Sequence, residues 1–307
     1  MGPSSSQVES SDGVRVGLHH WSGGARPARA VLYLHGATYP CLPMFVEAIG
    51  GTSWMEYIAR RGFEVFALDL RGYGSSDRPP ALQAPAELSP PPIDASTLRA
   101  DLDAAVAAIR ARCGVERVSL VAHSAGAWVA CAYAVEAASS VDRLALFAPI
   151  DPPSEAALAS KRPQLRLDHG YRVIDRTSAW MRWIRGIPPG QREATLPAAV
   201  FETWWKAVLA TDPASGTLTP PMVRAPNRVW PRSALDRITA PVQITRGQWD
   251  VECSAEGAHK VWSGLANASA RHLVELAGGS HHMSLEARRF VLYATVQGFL
   301  EEQGEHG

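Results

Sequence analysis

The chain has no surplus of either charge. Its 30 Lys and Arg residues balance 30 Asp and Glu, so the electrostatic footprint of a nucleic-acid or anionic-membrane binder is missing. Long apolar runs are absent too, and without a stretch of about 18 apolar residues no transmembrane helix is expected. Cysteine is scarce: only Cys41, Cys113, Cys131 and Cys253 occur. They form no C-x-x-C pair and no zinc spacing, which speaks against a disulfide framework or a structural metal. The first residues, MGPSSSQVESSDG, lack the apolar core of a secretory signal. They match the start of a myristoylation pattern, but Pro3 argues against that reading, and a flexible tail over residues 1–13 is expected. Asn267-Ala268-Ser269 is a glycosylation sequon, idle in a chain that is not secreted. The expected compartment is a reducing cytoplasm.

What the chain does have is apolar mass, 46% of 307 residues, enough for one large α/β domain or two smaller ones. Apolar runs at 31–36, 63–72, 118–124, 142–150, 241–250 and 271–279 read as strands. Helix patterns fall between them, near 52–61, 96–112, 125–138, 254–265 and 285–302. Strands this apolar are covered on both faces, as in a parallel sheet with helices on either side. Residues 14–23 add an antiparallel edge strand. One interval, 151–236, is too long for an ordinary connection. It carries helical stretches and five tryptophans, Trp180, Trp183, Trp204, Trp205 and Trp230. They pack the insertion's own small core, line a pocket beneath it, or do both on different faces.

One strand ends unusually. VSLVAHSAGAWVAC, residues 118–131, runs from β-prone residues into Ser124 and then at once into small, helix-forming residues. A serine there can simply cap a helix. It can also stand on a nucleophile elbow, which needs small residues two before and two after it, here Ala122 and Gly126. The second reading requires partners. A serine hydroxyl needs a base, the base needs an orienting group, and the reacting carbonyl needs backbone donors. All should lie at the carboxyl ends of the strands.

The chain supplies candidates for each. GGSHHMSLE follows the last strand, and the spacing favours His281 as the base, leaving His282 to line the pocket or cap the helix. Asp250, just past a strand in ITRGQWD, is the favoured acid, with Asp151 in APIDPP as its competitor. Backbone N–H groups of Ala125 and Ala37 are the expected oxyanion donors, with the Thr38 hydroxyl beside them. His123 and Trp128 are candidate substrate contacts. Trp54, Met55 and Trp249 fit the core better than the pocket. Cys41 follows the same loop as Ala37 but lacks the surroundings of a catalytic thiol.

HG at 35–36, DLRGYGSSDRP at 69–79, AHSAG at 122–126, GQWD at 247–250 and GGSHH at 278–282 occur in an order that resembles the α/β-hydrolase superfamily, over roughly residues 14–302. The departure is Ala122 where glycine is usual. The resemblance implies an α/β-hydrolase fold, with a core formed by 14–150 and 237–303 and a helical cap at 151–236. It implies Ser124, Asp250 and His281 as a catalytic triad, without metal or cofactor. Related haloalkane dehalogenases and epoxide hydrolases carry aspartate at the nucleophile position, so those chemistries are not expected here. The expected function is a serine hydrolase cleaving a carboxylic ester, lactone or thioester of an apolar or aromatic small molecule. The same triad also fits an acyltransferase, a cyclase or a carbon–carbon bond hydrolase, and the fold fits a non-catalytic ligand-binding protein. A monomer or homodimer is expected.

Overall fold

The most apolar stretches of the chain become the centre of one sheet. The computed structural model describes residues 2–24, 29–150, 168–229 and 234–302. Its first six strands are β1 (Ser4–Glu9), β2 (Arg15–Trp21), β3 (Ala30–Leu34), β4 (Glu64–Asp69), β5 (Val118–His123) and β6 (Val141–Phe147). A hairpin of β7 (Tyr171–Asp175) and β8 (Met222–Pro226) precedes β9 (Val242–Gly247) and β10 (Arg271–Leu276). Eight of the ten form one sheet in the order β1-β2-β4-β3-β5-β6-β9-β10. β1 and β2 run antiparallel to their neighbours, and every other pairing in that sheet is parallel. Every residue of β3, β4, β5 and β9 is buried, as strands covered on both faces must be. β10 is an edge strand whose residues are mostly half-buried or exposed.

Helices α1 (Trp54–Ala59), α2 (Ala95–Cys113) and α3 (Gly126–Glu136) follow β3, β4 and β5. Their ends are written in the sequence. Ser53 caps α1 through the Glu56 N–H, and Asp94 with Thr97 forms a capping box at α2, each satisfying donors the helix leaves unpaired. Gly114 ends α2 in the left-handed region. Between β6 and β9 lie α4 (Arg176–Ile184), α5 (Arg192–Thr195) and α6 (Ala198–Ala210), with the β7–β8 hairpin. Helices α7 (Ala255–Gly264) and α8 (Arg289–Glu301) complete the chain. β3 and β5 are neighbours, while β4 and β6 leave on opposite sides of that pair. Such a switch in strand order opens a crevice at the carboxyl ends.

Three expectations change. The expected N-terminal tail is largely strand β1, because Ser4–Glu9 pairs along its whole length with β2. β2 is therefore not the edge. The last helix starts at Arg289 rather than near 285, because Met283–Leu285 forms a separate 3₁₀ turn.

Candidate active site

The turn after β5 is held by steric necessity. Ser124 has φ 56, a left-handed conformation that is costly for a residue with a Cβ. Its N–H donates to Phe147 O of β6 at 2.9 Å. A Cβ at Gly126 would stand 2.4 Å from His35 O, and one at Gly36 would stand 3.1 Å from Ser124 Cβ. The two glycines let the β3 and β5 turns close on each other. Ala122, in place of glycine, is fully buried in register between Leu34 and Leu146.

The loops after β5, β9 and β10 bring three side chains together. His281 Nε2 lies 2.9 Å from Ser124 Oγ, and its Nδ1 lies 2.9 Å from Asp250 Oδ2. Asp250 Oδ1 accepts the Glu252 and Cys253 N–H groups, both at 2.8 Å, so the carboxylate is fixed before it meets the imidazole. His123 Nε2 is 2.9 Å from the His281 carbonyl and holds the backbone on that side. Asp151, the alternative acid, and Trp230 lie outside the described residues.

The backbone donors are also fixed. Among the described residues, neither the Ala37 nor the Ala125 N–H has an acceptor. The Gly36 carbonyl, in the same peptide as the Ala37 N–H, is 2.8 Å from His35 Nδ1. The Leu70 N–H donates to His35 Nε2 at 3.1 Å, so the proton must sit on Nδ1. Burial, followed by the Arg228 charge, lowers the His35 pKa to about 4; the ring is neutral and its tautomer set. The next carbonyl, Ala37 O, accepts from Tyr73 Oη and Arg172 Nη2, each at 2.7 Å.

A narrow cavity opens beside Ser124, walled by Gly36, Ala37, Thr38, Tyr39, Met44, His123, Arg182, His281 and His282. Thr38 Oγ1 accepts from Arg182 Nη1 at 2.8 Å and Arg172 Nη2 at 3.2 Å. Trp128, one turn into α3, is not among the described residues that wall this cavity, and its indole N–H donates to the Ile150 carbonyl. Trp54 and Met55 are core residues, with Trp54 stacked on Tyr293. Trp249 is half-buried against the core. Cys41 is buried, with Sγ 3.1 Å from Leu68 O, and burial pushes its thiol pKa well up.

Arg182 and Glu252 were not singled out in the sequence. Arg182, on α4, donates to both oxygens of Glu252 at 2.7 and 2.6 Å. Glu252 Oε2 also lies 3.6 Å from His281 Nε2. His281 is thus flanked by two carboxylates. Burial works to lower its pKa, but Asp250 and Glu252 together outweigh burial, and the net direction is up. Burial also works to raise Glu252, yet hydrogen bonds from Arg182 and the His281 charge hold it well below the usual carboxylate range. The available signals were weak: a Glu two residues after the candidate acid, and a cation set among tryptophans in AWMRWIRG. Among the described residues no cluster of His, Cys, Asp or Glu could hold a metal, and no helix is long and apolar enough to cross a membrane.

A family model for the alpha/beta hydrolase fold matches residues 29–174. Solved structures match over nearly the whole chain. An esterase from Rhodococcus sp. ECU1013 aligns with a TM-score of 0.65 at 18% identity, covering 98% of this chain and 100% of that one. An N-acyl homoserine lactone degrading enzyme aligns at 0.60 and 18% identity, over 96% of this chain and 100% of that one. A thioesterase domain from the curacin biosynthetic pathway aligns at 0.59 and 17% identity, over 98% and 100%. At such identities the likeness is one of fold. No curated protein matches the chain. The fold these comparisons define is the α/β-hydrolase fold.

Proposed function

We propose that the protein is a serine hydrolase that cleaves an ester-type bond of a small molecule through an acyl-enzyme on Ser124. The observation that carries this reading is the continuous path Ser124 Oγ–His281 Nε2, 2.9 Å, and His281 Nδ1–Asp250 Oδ2, 2.9 Å. His281 takes the Ser124 proton as the hydroxyl attacks a carbonyl carbon, and Asp250 holds the imidazole and offsets the charge it gains. The Ala37 and Ala125 N–H groups receive the developing oxyanion, where each such donor stabilises the transition state by about 3–4 kcal/mol. His281 then protonates the leaving group, and water attacks the acyl-enzyme by the reverse path.

Thr38, His123 and His282 line the space a substrate would enter. The cap expected at 151–236 is proposed on the described residues between β6 and β9, from which Arg182 reaches both Glu252 and Thr38 beside Ser124. The esterase, lactone-degrading and thioesterase names among the structural matches favour a carbonyl–oxygen or carbonyl–sulfur bond. The cap aromatics beside the site favour an apolar or aromatic substrate body.

Rapid mixing with p-nitrophenyl butyrate, a butyryl thioester and a butyrolactone tests the proposal. The expected result is turnover of at least one class, with a p-nitrophenol burst stoichiometric with protein and absent from Ser124→Ala. No turnover of any class by folded protein would overturn it.

A further inference from the structure

One wall of the cavity carries an imidazole whose nitrogens have no hydrogen-bond partner among the described residues. His282 is 2% exposed and lines the same cavity as Ser124. Its backbone N–H donates to Ser280 Oγ at 3.2 Å, but among the described residues neither ring nitrogen has a hydrogen-bond partner. Nδ1 is fully shielded from solvent. Leaving such a group unpaired costs about 1–3 kcal/mol, so its place beside the nucleophile calls for a reason.

The ring is not loosely placed. It stacks on Trp183, with ring centroids 4.9 Å apart and planes 29° from parallel. Trp204 meets it edge-on at 6.4 Å, and Tyr39 lies 6.2 Å away. Trp183 is anchored in turn, its indole N–H donating to Glu286 Oε1 at 2.9 Å. Glu286 also accepts the Ser280 N–H at 2.9 Å, so one carboxylate fixes both the tryptophan under the ring and the loop that bears it. The Tyr39 hydroxyl, on the same cavity wall, likewise has no hydrogen-bond partner among the described residues.

Charge defines what this wall suits. Burial first, and then the His281 charge, hold the His282 pKa well below the usual imidazole range. Burial raises the Tyr39 phenol to about 12. Both groups are therefore neutral. Among the described residues that wall the cavity the cation is Arg182, already matched by both oxygens of Glu252. The wall thus offers donors and acceptors without net charge. A neutral imidazole presents one donor and one acceptor, which complements a group that can both accept and donate.

We infer that His282, with Tyr39 beside it, recognises an uncharged hydrogen-bonding group, a hydroxyl or a secondary amide, close to the scissile carbonyl of the substrate. This rests on the serine-hydrolase reading above and narrows its substrate class. A site built to pair a polar group discriminates strongly against the analogue that lacks it, because its own buried partner is then left unpaired.

Two pairs of phenyl esters test the inference: lactate against propionate, which differ by a hydroxyl, and N-acetylglycinate against levulinate, which differ by an N–H in place of a methylene. The readout is the ratio of kcat/KM within each pair, compared between wild type and His282→Phe, so intrinsic ester reactivity cancels. Phenylalanine keeps an aromatic ring to stack on Trp183 and removes both ring nitrogens. The ratio should fall by about tenfold or more in at least one pair, and His282→Asn should recover part of it. Unchanged ratios in both pairs would overturn the inference. Wild-type labelling by a fluorophosphonate separates the two levels: no labelling sinks the hydrolase reading, whereas labelling with unchanged ratios sinks only this one. Should His282→Phe not fold, imidazole nitrogen NMR on wild type gives the answer instead. Lactamide should move the His282 ring resonances more than propionamide does, and equal effects would overturn the inference.

Discussion

The central sheet and the segment between β6 and β9 are held together in different ways. In the sheet, buried apolar side chains on β3, β4, β5 and β9 set the register, and the site emerges from where the strands stop. Ser124, Asp250 and His281 each follow a strand end. The intervening segment is joined to the site by side chains: Arg172 to Ala37 O and Thr38, Arg182 to Glu252 and Thr38, Trp183 to Glu286. Around these contacts Trp180, Trp183, Phe201, Trp204 and Trp205 pack against one another. Backbone geometry thus places Ser124, Asp250 and His281, and side-chain contacts from the segment shape and charge the space around them.

Mutations on the two sides should separate these roles. Ser124→Ala is expected to have the largest effect, a loss of kcat/KM of about ten-thousand-fold or more with the melting temperature unchanged or raised, since it removes only a hydroxyl from a strained turn. Trp183→Ala should cost about 3–5 kcal/mol in denaturant unfolding, as for other fully buried large aromatics. If the two regions stand or fall together, the transition stays single; a separate early transition would show that the segment unfolds alone. Gly126→Ala should cost about 1–3 kcal/mol, because its Cβ would press on His35 O. Activity should fall with it, since His35 holds the peptide that bears the Ala37 N–H.

Glu252→Gln should give the smallest effect, and the most specific. On the proposed mechanism activity needs neutral His281, so kcat/KM should fall as the pH drops through the His281 pKa. Glu252 raises that pKa. Its loss removes the raising charge and leaves Arg182, which lowers the pKa, without its carboxylate. The acid limb of the pH profile should move to lower pH. A limb that stays in place would show that Glu252 only ties α4 to the site.

The sequence was legible where local chemistry is strict. Strand runs and the tight turn at Ser124 follow from periodicity and small residues at fixed offsets. β1 was missed because SSSQVE carries little apolar signal; its pairing with β2 supplies what its sequence lacks. The β7–β8 hairpin was missed for a related reason, since YRVID and MVRAP are short and interrupted by charge. Arg182 and Glu252 were missed because they lie 70 residues apart and gain meaning only once paired.

The central claim is that His281 activates Ser124. Intact-mass labelling with a fluorophosphonate, on wild type and on Ser124→Ala, His281→Ala and His282→Ala, tests it most directly. The account predicts a single adduct on wild type, lost in Ser124→Ala and His281→Ala and kept in His282→Ala. An adduct that survives Ser124→Ala, or none on folded wild type, would contradict it.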